Sequence, residues 1–176
     1  MPIKTISKIS LMIAIFILCS WISIPTLIPF TLQTFILFLL PLLCSMYDVF
    51  ICLLCYLLMG FLGFPVFANF QGGIHYLFGL TGGYLLGFIP SMIFLFITKP
   101  IWKNNTIYYA ILAFVSLCIC YLFGSFWFFF LYNQTHTASI FFVFTICVYP
   151  FIIPDIIKIG LAIYVSKRLS KKTNAY

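Results

Sequence analysis

The chain has 176 residues, 65% hydrophobic and 6% charged, with nine Lys or Arg, two acidic residues and 23 Phe, for a net charge of +7. A soluble domain carries about 25% charged residues, so too little polar surface exists here to clothe a water-exposed globule; disordered, collagenous and coiled-coil classes fail on the same composition. The cations lie at both termini, between Lys99 and Lys103, and at Lys158 within an apolar run. That distribution marks membrane topology, and no nucleic acid is expected as a partner.

A spanning helix needs about 20 apolar residues, and the chain divides into six apolar runs forming a single transmembrane domain over 1–176. The first, Ile9 to Ile24, follows Lys4 and Lys8 and stops at Pro25 and Pro29. It reads as a retained span rather than a cleaved signal peptide, because the remainder of the chain is equally apolar. As one helix, Thr31 to Phe64 would be roughly 50 Å long, so it reads as two short spans with a turn near Cys44 to Asp48. A glycine-rich, aromatic connection, Asn69 to Tyr76, leads to a fourth span from about Leu80 to Thr98. After the basic loop Lys99 to Asn105 come a fifth span, Ile107 to Tyr132, a polar tip, Asn133 to Thr137, and a sixth span, Ala138 to Val165. Lys167, Arg168, Lys171 and Lys172 follow. Basic termini and a basic internal loop all belong in the cytoplasm, which requires an even number of crossings. The expectation is an all-α integral membrane protein of six transmembrane helices with both termini cytoplasmic.

Asp155 and Lys158 stand out, because a charge at the bilayer centre costs on the order of 3 kcal/mol on insertion scales. Their i, i+3 spacing lets them pair on one helical face, and Pro150 and Pro154 just before them free backbone carbonyls, as at a cavity wall. Asp155 offers acceptors and Lys158 donors, which suits a small ligand with both kinds of polar group and an apolar body; a purely structural ion pair is the alternative. Thr81, Gly82, Gly83 and Tyr84 open the fourth span, where bare amides, a hydroxyl and an aromatic face can meet a ligand. Gly87, four residues beyond Gly83, reads as a helix-packing glycine. Gln33 stands at another helix start, with loop capping an equal reading.

Other chemistry finds few parts. His75 and His136 stand alone, with no metal-ligand spacing, and no hydrolase constellation or P-loop is present. No cofactor is expected. Seven cysteines fall in or beside apolar runs and read as small apolar residues. Cys52 and Cys55 form a CxxC, so an intramembrane thiol oxidoreductase is an alternative class, although nothing basic lies nearby to stabilise a thiolate.

The runs Ile22-Ser-Ile-Pro25, Pro29-Phe-Thr-Leu-Gln-Thr34, Gly60-Phe-Leu-Gly-Phe-Pro-Val-Phe67, Thr81-Gly-Gly-Tyr-Leu-Leu-Gly-Phe88 and Pro154-Asp-Ile-Ile-Lys158 resemble the BioY family, the biotin-binding S components of energy-coupling factor (ECF) transporters. The resemblance extends over nearly the whole chain. It implies a non-enzymatic six-helix subunit that captures biotin at the bacterial cytoplasmic membrane, partnered by a transmembrane coupling subunit and cytoplasmic ABC ATPases that supply the missing P-loop. It also implies a pocket near the outer face, with Asp155 accepting the ureido N–H groups. Lys158 would meet the ureido carbonyl or hold Asp155, and the Thr81 to Tyr84 segment would form a wall. Asn69 or Gln71 is the candidate for the biotin carboxylate. An S component for riboflavin or thiamin is the nearest alternative. The first helix retains only Ser10 and Ala14 of the small-residue face through which the family docks to its coupling subunit.

Overall fold

The structure, a computed structural model, describes residues 3–103, 105–134, 136, 137 and 139–173, the last three of these by backbone alone. Asn104, Ala138 and the side chains of Lys171 and Lys172, assigned above to the basic loop, the sixth span and the cationic tail, lie outside the described residues.

Helix α1 (Ile3–Trp21) starts earlier than the sequence suggests and also stops earlier. Ile24 and Ile28 each precede a proline, which drives the backbone toward extended geometry. Ser23–Ile24 (β1) accordingly pairs antiparallel with Phe30–Thr31 (β2), and this small hairpin joins α1 to α2 (Gln33–Leu43). The expected tight pair is present: α2 ends at Leu43 and α3 spans Met46–Phe61, its N-terminus capped by the Ser45 hydroxyl, which accepts the Asp48 N–H at 3.1 Å.

The glycine-rich connection carries one 3-10 turn and the short helix α4 (Ile74–Leu77) before α5 (Gly82–Ile97). The basic loop contains one helical turn, α6 (Lys99–Trp102), and the Asn105 side chain then caps α7 (Thr106–Tyr132). The sixth run is two helices, α8 (Ile140–Cys147) and α9 (Tyr149–Thr173), broken at Val148 (φ −124°, ψ −56°). The break puts Pro150 in the first turn of α9, where its missing N–H would have been unpaired anyway.

Among the described residues, three helical stretches are long and apolar enough to cross a membrane: Ile3–Trp21, Thr106–Tyr132 and Ile140–Ser170. The remaining three apolar runs form shorter helices of 11, 16 and 16 residues, α2, α3 and α5. Around a hydrophobic core, large apolar side chains also cover the outside, and several polar ones are buried within. Phe126 (74% exposed) and Ile153 (71%) face outward, whereas Asp155 (3%) and Ser91 and Ser116 (both 0%) lie inside.

The most extensive helix contact is that of α5 with α7. Gly83 lies against the Trp127 side chain and Gly124 against the Tyr84 ring, so a methyl group at either would collide with a neighbour. Between them, the hydroxyls of Ser91 and Ser116 each donate to the other's carbonyl, at 2.8 and 2.9 Å. Small residues thus let two backbones approach closely where no hydrophobic force drives helices together. Helix α2 packs on α9, and α1 on α3. Lys8 and Asp48 pair at 2.9 Å across one end of the α1–α3 contact. At the other end Trp21 Nε1 donates to the Pro65 carbonyl at 2.8 Å, tying the connection after α3 to α1.

Candidate functional site

The ion pair expected within the sixth run forms on α9, with Lys158 Nζ 2.7 Å from Asp155 Oδ1, and both side chains are buried. The reason they share a face is the single helical turn between them. Because α2 lies along α9, its first turn and the end of β2 just before it complete the arrangement. Thr34 Oγ1 donates to Asp155 Oδ1 at 2.8 Å, and Lys158 donates to the Thr31 carbonyl at 2.6 Å and to Thr34 Oγ1 at 3.1 Å. From α7 the Tyr121 hydroxyl donates to Asp155 Oδ2 at 2.5 Å. The ammonium also stands 4.1 Å from the centre of the Phe30 ring, a cation–π contact. Lys158 has three protons to give, and Asp155, Thr31 and Thr34 take all three. The two charges are therefore compensated and fully hydrogen-bonded, the condition for burial in hydrocarbon.

Beside this pair lies a cleft of about 60 Å³, walled by Ile28, Tyr84, Phe88, Tyr121 and Phe151 as well as the polar groups. A second lobe of about 40 Å³ shares Ile28, Thr31, Gln33, Tyr84 and Phe88 and extends to Ala68, Tyr76 and Thr81. The two lobes share these residues and form one slot, with the charged pair in the first lobe, aromatic rings in both, and Ala68 and Tyr76 of the connection between α3 and α5 in the second.

Gln33 lies between the lobes and is buried. Its amide donates to the Tyr56 hydroxyl at 2.6 Å and to Ser20 Oγ at 3.1 Å, and its carbonyl oxygen accepts from Thr31 Oγ1 at 3.1 Å. Tyr56 in turn reaches the Val66 carbonyl at 3.1 Å. A continuous polar thread thus joins α1, α2, α3 and the following connection. Among the described residues no buried side-chain polar atom is left without a partner.

The other sequence candidates divide. Tyr84 lines both lobes, its hydroxyl 3.1 Å from Ser125 Oγ, and Thr81 lines the second. Gly82 and Gly83 are buried in the first turn of α5, packed against the Leu77 carbonyl and the Trp127 side chain, and border neither lobe. Asn69 has positive φ (56°), and its Oδ1 accepts from Ser23 Oγ at 2.9 Å; it too stands off both lobes. Gln71 is exposed. Cys52 is in the core and Cys55 partly buried, one turn apart on α3, and neither lines the slot.

Thr31, Thr34 and Tyr121 were not anticipated. Thr31, Gln33 and Thr34 form a polar cluster in an otherwise apolar stretch, a signal open to reading. Tyr121 carries no comparable signal among the aromatic residues of α7, and only the packing of α7 beside α9 reveals it.

The BioY family model matches residues 1–175. The biotin transporter BioY of Thermotoga maritima is 35% identical, with 96% of each chain aligned. The biotin transporter BioY2 of Lactococcus lactis is 32% identical over 98% of this chain and 94% of its own. In fold, the chain is similar to the crystal structure of the S-component for biotin from an ECF-type ABC transporter, with a TM-score of 0.84 and 22% identity over 96% of this chain and 92% of that one.

Proposed function

This chain belongs to the BioY family, and from that premise we propose that it is the substrate-specific subunit of an ECF-type transporter, capturing biotin for uptake across the bacterial cytoplasmic membrane. The observation that carries the reading is the buried Asp155–Lys158 pair at the charged end of an aromatic slot. A ligand with a compact polar head and an apolar body fits such a slot, the head meeting Asp155 and the body lying between Tyr84, Phe88 and Phe151. The far lobe, with Thr81 and Tyr76 at its wall, would receive the other end; the carboxylate partner, Asn69 or Gln71, would come from the adjoining connection. Gly82 and Gly83 serve this wall indirectly, by seating the first turn of α5 against α4 and α7.

Of the two roles weighed for Lys158, holding Asp155 is the supported one, because its three protons are already committed.

Six crossings with cytoplasmic termini follow from the six apolar runs and the basic loops. The slot then faces outward, since the connections bordering it are the uncharged ones. The protein is a transport subunit and not an enzyme; a coupling subunit and ABC ATPases would supply the energy. The test is equilibrium binding of labelled biotin to the purified, detergent-solubilised chain, with riboflavin, thiamin and unlabelled biotin as competitors. Saturable binding displaced by biotin alone is the expected result. Absence of binding by a folded sample, or displacement by another vitamin, overturns the assignment.

A further inference from the structure

The two oxygens of Asp155 are held differently. Oδ1 belongs to a closed circuit: it accepts from Lys158 and Thr34, while Lys158 also donates to Thr34 Oγ1 and to the Thr31 carbonyl. Displacing Lys158 would separate two buried charges, an expensive exchange, and displacing Thr34 would take a hydroxyl from both the carboxylate and the ammonium. Among the described residues Oδ2 has one donor, the neutral Tyr121 hydroxyl at 2.5 Å. Tyr121 is among the residues lining the slot and sits on α7, outside the circuit of Thr31, Thr34, Asp155 and Lys158. Oδ2 is therefore the position a ligand can claim.

Claiming it has a condition. A bond to a carboxylate is among the stronger hydrogen bonds, so the incoming ligand must supply its own donor to Oδ2, and the displaced tyrosyl proton must find an acceptor inside a buried slot. A group bearing N–H and C=O on adjacent atoms satisfies both at once. Resting on the biotin reading above, we propose that Tyr121 is a placeholder on Asp155 that exchanges on binding. A ureido N–H of the ligand takes Oδ2, and the Tyr121 hydroxyl turns its proton to the ureido carbonyl oxygen. Lys158 and Thr34 stay in place throughout. One protein hydrogen bond is traded for two protein–ligand bonds, and the urea oxygen becomes a specificity determinant read by a tyrosine.

The experiment compares binding of biotin with that of the analogue whose ureido oxygen is replaced by sulfur, a weaker acceptor, in the wild-type chain and in Tyr121→Phe. The wild-type chain should prefer biotin by roughly tenfold, and Tyr121→Phe should bind biotin more weakly while narrowing that preference to roughly twofold. If the variant loses affinity for both ligands equally and keeps the preference, Tyr121 is only structural and the proposal fails. If the wild-type chain shows no preference, the proposal fails without recourse to any variant. No binding of biotin by the wild-type chain would overturn the biotin reading itself, an outcome distinct from either of these.

Discussion

Lys158 follows Asp155 by one helical turn and donates to it at 2.7 Å, both side chains sealed from the surface between α2, α7 and α9. A buried pair of this kind is asymmetric in its response to mutation: removing one partner leaves an uncompensated charge, whereas replacing both by apolar groups is often neutral.

Asp155→Ala should therefore cost about 3–5 kcal/mol of stability as well as ligand binding. Asp155→Leu combined with Lys158→Met should recover most of that stability and still bind no biotin. Thermal unfolding in detergent, alongside biotin titration, measures both. A single Asp155→Ala variant as stable as wild type would show that Lys158 finds its compensation elsewhere.

Gly83 and Gly160 should respond oppositely to alanine. A methyl group at Gly83 meets the Trp127 side chain, so α5 and α7 must separate, at about 1–3 kcal/mol. At Gly160 nothing lies within 4 Å, and Ala in a helix interior is favoured over Gly by roughly 0.5–1 kcal/mol. Melting temperatures of the two variants decide the matter, and similar shifts in both would contradict the close α5–α7 approach.

Gly73 takes φ +92° and ψ 163° at the start of α4, a region accessible almost only to glycine. Gly73→Ala should cost about 1–3 kcal/mol and weaken biotin binding by disturbing the connection whose Ala68 and Tyr76 line the second lobe. Gly72, beside it, is crowded by the Phe64 carbonyl, so the whole turn has little freedom to adapt. Unaltered stability and affinity in Gly73→Ala would rule this out.

Gln33 and Tyr56 should be energetically coupled. Gln33→Leu leaves the Ser20, Thr31 and Tyr56 hydroxyls short of partners, at about 1–3 kcal/mol. Once Tyr56→Phe has been made, the same change should cost at least 0.5 kcal/mol less, a double-mutant interaction within the usual range for residues in one network (~0.5–3 kcal/mol). Strict additivity of the two would separate the polar thread into independent contacts.

Much of the architecture is legible in the chain because its determinants are local. Apolar runs bounded by prolines, glycines and lysines locate the helices. The Cys44–Asp48 turn, the Asn105 start of α7 and the i, i+3 pairing of Asp155 with Lys158 all depend on residues within a few positions of each other. Composition alone identifies a membrane protein, since so few charges cannot cover a water-facing surface.

Other features depend on residues far apart in sequence, and those the tertiary structure alone decides. Tyr121 meets Asp155, and Thr31 and Thr34 meet Lys158, only because α7 and α2 lie against α9. The backbone of Gly82 and Gly83, plausible as bare amides at a pocket wall, is instead spent on close contact with Leu77 and Trp127. The break at Val148 follows from Pro150, yet its consequence, α9 starting anew with its charged turn beside α2, is settled by packing. Hydrophobicity fixes which segments leave water. Which polar groups then meet inside is decided by the need of every buried donor and acceptor for a partner, wherever in the chain that partner lies.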